Sequence, residues 1–416
     1  MLKEIRIKNF RGFDELEISN FKKINLFVGK NSGGKTSVLE ALFLALKPYS
    51  NSLYELYKGR GLPMNHVIRQ TSQPQQNQPQ KPQQDQPQIQ IQQFASPTWS
   101  AIFGFLKNNG NQKQNTSIEV ESEFGHLELK RTVILKPYFF SSEKLNQSQE
   151  SFEFIEKSQN QTHENSDFFY ISSVDENLRN NSEKSYFSTG IPKLKEVPDC
   201  ADVSQNGFSD SQAKLAKDSK INYPTFKIFF HLTGVANDLS LGARFEKIRD
   251  SEFSEKLVNL MQKIDDKIRE FRFDNKGSIE VVIEVEGKKH ALPFGLLGDG
   301  AKKIFSILCS IPSCKNGVLL IDEIENGIHH TSQKLFWDFA IATAKEFNVQ
   351  IFATTHSYEA IEALDKSYKE TCELKGKTLE EDDEIRLYRV NKTQKSPTKF
   401  DSTQIDKFIE QEWEVR

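Results

Sequence analysis

Apolar and charged residues alternate from the start of the chain. Leu2–Asn9 sets Ile5 and Ile7 against Lys3, Arg6 and Lys8, the period of a half-exposed strand. Phe10-Arg11-Gly12-Phe13 interrupts the alternation, and Leu16-Glu17-Ile18 resumes it. Ile24–Val28 is apolar almost throughout, as suits a buried strand, and Ser37–Leu46 has the apolar spacing of a helix. Thr116–Phe124 and His126–Leu135 alternate on either side of Gly125 and predict a hairpin. Leu257, Leu260, Met261, Ile264 and Ile268 predict a helix over Lys256–Phe271. Ser278–Val285 and Lys288–Pro293 predict a strand pair around Glu286-Gly287. Beyond Leu292 the two periods take turns. Helices are predicted over Ala301–Leu308, Thr331–Lys345, Ser357–Leu364 and Ser402–Trp413, and strands over Gly317–Ile321, Val349–Ala353 and Glu384–Val390. Apolar strands alternating with helices predict an α/β fold with a parallel core sheet.

Composition changes this picture in the middle of the chain. Thr71–Gln93 is nearly all Gln and Pro, too polar to offset its ordering entropy, and reads as a disordered loop expansion. Trp99–Phe105 reads as a short helix. Lys136–Pro224 is rich in Ser, Asn, Gln and Lys without a heptad, which predicts a variable insertion rather than a coiled-coil arm. Three segments result: an N-terminal half-core over 1–50, a β lobe over 51–290 holding the 71–93 loop and the 136–224 insertion, and a C-terminal half-core over 291–416. Net charge is −3, so bulk attraction to nucleic acid has no support, although a local basic patch stays open. The four cysteines form no metal or disulfide pattern, and Cys309 and Cys314 read as buried thiols. No apolar leader and no run of about 18 apolar residues occurs, which predicts a soluble cytoplasmic protein without a membrane segment.

The chemistry concentrates at Gly29–Thr36, G-K-N-S-G-G-K-T, which fits G-x-x-x-x-G-K-[ST] at each defined position. Between an apolar strand and a helix, this is the phosphate-binding P-loop rather than a chance glycine-rich turn. Gly29, Lys30, Asn31, Ser32, Gly33 and Gly34 would wrap phosphates with backbone amides, Lys35 would reach the β- and γ-phosphates, Thr36 would hold Mg²⁺, and Ser37, next in the helix, would join the nucleotide-binding residues. Val318-Leu-Leu-Ile-Asp-Glu323 is a Walker B pattern. Asp322 would reach Mg²⁺ through water and Glu323 would polarise the attacking water. His356 closes the next strand in F-A-T-T-H-S, where it could bond a γ-phosphate; the alternative is an ordinary surface or core histidine.

The order Walker A, long interval, glycine-rich helix start, Walker B and strand-end histidine resembles ABC-type ATPase heads. Leu297-Gly-Asp-Gly-Ala-Lys-Lys303 stands where that family has the signature L-S-G-G-Q/E, with Gly298 for the serine and Asp299 for the first glycine. The resemblance implies nucleotide contacts from Gly298, Asp299, Gly300 and Lys302. Residues 5–13, I-R-I-K-N-F-R-G-F, resemble the opening of the RecF, SMC and OLD (overcoming lysogenization defect) branch, which implies that Arg11 lies near the nucleotide. Together with L-L-I-D-E-I-E-N-G-I-H, the motifs resemble the OLD-like AAA family ATPases of bacterial anti-phage systems, without the Toprim nuclease domain. What this implies is a P-loop NTPase of ABC-ATPase head type with ATP and Mg²⁺ as cofactors. Heads would pair as a homodimer or higher homo-oligomer around ATP, and hydrolysis would switch a separate effector, a nuclease or toxin, with DNA a possible partner. Competing readings are a RecF/SMC-like DNA repair clamp and an ABC transporter subunit. A degenerate pseudo-ATPase is disfavoured because Lys35, Thr36, Asp322 and Glu323 are all present.

Overall fold

Strands covered on both faces must be largely apolar, and the centre of this protein follows that rule, with buried exceptions such as Asn25 and Gln350 held by hydrogen bonds. The computed structural model describes residues 1–47, 56, 108–109, 112–113, 116–124, 127–139, 167–177, 184–189, 227–232 and 240–410. The 71–93 tract, the helix expected at Trp99–Phe105 and much of 136–224 lie outside the described residues. In chain order the N-terminal strands are β1 (Leu2–Phe10), β2 (Phe13–Ser19) and β3 (Ile24–Val28), followed by helix α1 (Lys35–Leu46). A short pair, β4 (Asn108–Asn109) and β5 (Gln112–Lys113), precedes β6 (Thr116–Phe124), β7 (Leu127–Phe139), β8 (Asp167–Asn177), β9 (Lys184–Thr189) and β10 (Ile228–His231). Then come α2 (Leu241–Glu246), α3 (Glu252–Ile264), β11 (Ile268–Phe273), β12 (Ile279–Val285) and β13 (Lys288–Pro293). The C-terminal part holds α4 (Asp299–Ser313), β14 (Val318–Ile321), α5 (His330–Glu346), β15 (Gln350–Thr354), α6 (Tyr358–Leu374), β16 (Ile385–Arg389), β17 (Thr398–Asp401) and α7 (Ile405–Glu410).

The core sheet has the order β10-β14-β15-β3-β16-β17, parallel except for β17 at one edge. Alternate residues of its strands enter two separate cores. Ile24, Leu26, Val28, Leu319, Ile321, Ile351, Ala353, Ile385 and Leu387 face α3, α4, α5 and α6. Phe27, Val318, Leu320, Phe352 and Tyr388 face α1 and the buried side of β1, β2 and β6. The second layer is an antiparallel sheet of order β2-β1-β6-β7-β8-β9, and a smaller one has the order β11-β12-β13. The expected α/β architecture with a parallel core and an antiparallel lobe is the one observed.

Three local differences from the sequence reading stand out, and the first has a physical cause. The helix expected over Lys256–Phe271 ends at Ile264, and Ile268–Phe273 is strand β11. A bulge between Ile268 and Glu270 puts the buried Ile268 and Phe271 three residues apart, which imitates helical spacing. Strand β10 supplies an edge of the core sheet that the sequence reading did not anticipate, and polar β17 supplies the other. Cys309 and Cys314 are buried and unbridged as expected. Among the described residues no helix is long and apolar enough to cross a membrane.

Candidate functional site

The carboxyl ends of β3, β14 and β15 converge, and each delivers part of one polar cluster. At the end of β3, Gly29, Lys30, Asn31, Ser32 and Gly33 form the loop, closed by the Gly33 amide donating to the Lys30 carbonyl at 3.0 Å. Gly34 ends the loop with φ 100, and a Cβ there would stand 2.3 Å from the Phe13 ring, so only glycine fits. Phe13 belongs to the F-R-G-F turn, and this contact seats the N-terminal sheet beneath the start of α1. Lys35 opens α1 and is 4% exposed. Its ammonium donates to the carbonyls of Gly29 at 2.8 Å and Lys30 at 3.1 Å, and to His356 Nδ1 at 3.3 Å. Burial pushes Lys35 down to about 8, although Glu325, Asp322 and Glu323 pull the other way. Burial, reinforced by the Lys35 charge, likewise holds His356 below the usual histidine range, which favours the neutral ring whose Nδ1 accepts from Lys35.

Asp322 leaves the end of β14 and joins the two halves of the cluster. Its Oδ1 accepts from the Thr36 hydroxyl at 2.9 Å and from the Thr354 hydroxyl at 2.7 Å. Thr354 in turn accepts the Glu323 amide at 2.7 Å. Glu323 has φ 46, in the left-handed region, which turns the chain out of the strand direction. Glu325 completes the frame: one carboxylate oxygen accepts the His356 amide at 2.7 Å and the other the Thr355 hydroxyl at 2.8 Å. Sequence reasoning missed Thr354 and Glu325. The acid two places beyond Glu323 and the two threonines before His356 were the available signals.

The set suits a metal that arrives with phosphate. One threonine hydroxyl and one carboxylate, beside a lysine ammonium, leave most of an octahedral shell to water and phosphate oxygens, which is how Mg²⁺ is usually held. Among the described residues no cluster of three or more His, Cys, Asp or Glu could cage a metal alone.

Two further groups of expected site residues have local partners of their own. Arg11 pairs with Glu40 of α1, Nε to Oε2 at 2.5 Å, so it is tied to the flank of the P-loop helix. Gly298 precedes α4, and Asp299 is 90% exposed there, paired with Lys302 at 2.8 Å. Lys302 thus offsets the negative charge that Asp299 brings to the helix start, and it also donates to the Gly295 carbonyl at 3.2 Å. Gly300 is needed within its own chain: a Cβ would lie 2.4 Å from the Gly327 carbonyl oxygen.

Comparison with known proteins agrees with a nucleotide site. A family model described as an AAA ATPase domain matches residues 1–361. An ATP/GTP phosphatase of Helicobacter pylori is 24% identical over 388 residues, 89% of this chain and 89% of that one. The DNA replication and repair protein RecF of Lactococcus lactis is 50% identical over 46 residues, 11% of this chain and 13% of its own length. Among solved structures, an SMC head bound to the C-winged helix domain of ScpA aligns over 96% of this chain and 98% of its own, with 11% identity and a TM-score of 0.45.

Proposed function

This chain belongs to the AAA ATPase domain family, and on that premise we propose that it binds ATP with Mg²⁺ and hydrolyses it between strand ends β3, β14 and β15. The observation that carries the reading is the contact between Thr36 and Asp322, 2.9 Å apart in space and 286 residues apart in sequence. It joins the P-loop hydroxyl to the Walker B carboxylate. Bound Mg²⁺ would neutralise phosphate charge, with Thr36 and Asp322 as its protein-side holders. Lys35 would exchange the Gly29 and Lys30 carbonyls for phosphate oxygens, which a buried ammonium meets without further desolvation. Glu323 would orient the attacking water, and His356, fixed by Glu325 through its amide, would stand beside the terminal phosphate. Positioning and charge stabilisation dominate phosphoryl transfer, so these residues act by placement.

The finer reading is an OLD-like switch. ATP would clamp two heads, each head's α4 start closing the other's site, and hydrolysis would release the heads and so switch a separate effector, a nuclease or toxin, in anti-phage defence. The 46-residue likeness to RecF favours one alternative, a DNA-repair clamp, although it spans only 11% of this chain. Lys35→Ala should abolish nucleotide binding measured with a fluorescent ATP analogue. Glu323→Gln should bind the analogue normally and turn over at least about a hundredfold more slowly. Normal turnover by Glu323→Gln removes Glu323 from its role, and retained binding by Lys35→Ala removes the P-loop from its own. DNA binding that weakens steeply with salt would move the reading to the clamp.

A further inference from the structure

The helix α4 meets the turn after β14 at two points on one side. Gly300 lies against the Gly327 carbonyl, too close for any side chain. Three residues later, on the same face, the Lys303 ammonium donates to the Glu323 carbonyl at 2.6 Å. That oxygen also accepts the Asn326 amide at 3.0 Å. Glu323 sits at φ 46, a conformation that costs a non-glycine residue energy and persists only where its surroundings hold it. The Thr354 hydroxyl holds its amide from the β15 side. Lys303 holds its carbonyl from the α4 side.

A lysine on a flexible stem reaches water unless something inside holds it. Lys303 instead turns inward, where burial pushes it down to about 8 against the pull of Glu325, Glu323 and Asp322. Neither the P-loop nor the Walker B pattern assigns it a role.

We infer that Lys303 is a positioning residue for hydrolysis: by anchoring the Glu323 carbonyl to α4 it fixes the left-handed turn that aims the Glu323 carboxylate. The inference rests on the reading of Glu323 as the water-orienting acid. It makes α4 part of the catalytic frame, so a shift of this helix is felt at Glu323.

The test uses the full chain with Lys303→Met and Lys303→Arg, read first without nucleotide. Loss of one charge-assisted hydrogen bond should speed amide exchange at Asn326 and its neighbours by about ten- to a hundredfold in Lys303→Met. Exchange in the middle of α4 and in β14 should stay unchanged, and Lys303→Arg, which keeps a donor, should remain within about threefold of wild type. With ATP, kcat of Lys303→Met should fall about tenfold or more while KM stays within about twofold, and Lys303→Arg should recover most of the loss. Unchanged exchange at residues 323–328 overturns the inference. So does faster exchange spread evenly through α4 and β14, which would make Lys303 a general support. If the local exchange signature appears but wild type itself does not hydrolyse ATP, the anchoring contact stands and the ATPase reading fails.

Discussion

Replacing Thr354 by valine exchanges one hydroxyl for a methyl of nearly the same shape at a site 1% exposed. The hydroxyl has two partners, donating to Asp322 Oδ1 at 2.7 Å and accepting the Glu323 amide at 2.7 Å. A hydrogen bond to a charged group contributes about 1.5–3 kcal/mol, and a buried donor left unmatched costs about 1–3 kcal/mol. Asp322 keeps the Thr36 hydroxyl, so the two costs overlap, and a net loss of about 2–5 kcal/mol follows. Thr354→Ser is the control: the hydroxyl stays and one methyl goes, a loss of about 1 kcal/mol. Urea unfolding followed by tryptophan fluorescence measures both, since Trp337 is buried in the helical core. The Mg²⁺ dependence of nucleotide binding should weaken in Thr354→Val and hold in Thr354→Ser. Equal stability of the two variants would refute the claim that this hydroxyl joins Asp322 to Glu323.

Gly34→Ala meets both a φ of 100 and the Phe13 ring, so it should lose about 2–4 kcal/mol by thermal unfolding; Phe13→Leu in the same chain should recover part, read as a double-mutant cycle. In the nucleotide-free protein Lys35 and Lys303 sit near 8, below the ordinary lysine value of 10.5. Between those values the unfolded chain holds more protons than the folded one, so their contribution to stability rises with pH over roughly 8–10.5. For Lys303 the rise is at most about 3 kcal/mol, and denaturation at pH 7.5 and 9.5 should show it shrinking in Lys303→Met. Asp299→Arg, at an exposed position, should leave stability within about 0.5 kcal/mol and nucleotide binding intact while abolishing ATP-induced pairing in sedimentation. Gly300→Arg is a poorer probe of that pairing, because its side chain strikes Gly327 of the same chain.

What could be read from the sequence was what is local. The P-loop declares itself in eight consecutive residues because loop, lysine and hydroxyl must be contiguous to do their work. The core strands declare themselves because burial on both faces leaves few polar positions, such as Asn25 of β3 and Thr354 of β15. The contacts of Thr354, Glu325 and Lys303 were harder to read for the opposite reason: their partners lie 31, 30 and 20 residues away, and no spacing rule links them. Arg11 shows what a motif leaves out. The turn that presents it was legible, whereas its pairing with Glu40 depends on how the antiparallel sheet docks on α1. At Ile268 and Phe271 a single bulge changed the apparent period, and spacing alone gave the wrong element.

The placement of β3 also bears on how the protein is made. This strand lies between β15 and β16, so its hydrogen-bonding partners are Gln350–Thr354 and Ile385–Arg389. When Ile24–Val28 leaves the ribosome, more than three hundred residues remain before either neighbour exists. At about 5–20 residues per second the strand waits on the order of a minute with both edges open and two apolar faces uncovered. Pairings so distant in sequence also close slowly once available. Nascent chains should therefore be bound by chaperones until β16 emerges, and a fragment ending before β15 should aggregate rather than fold.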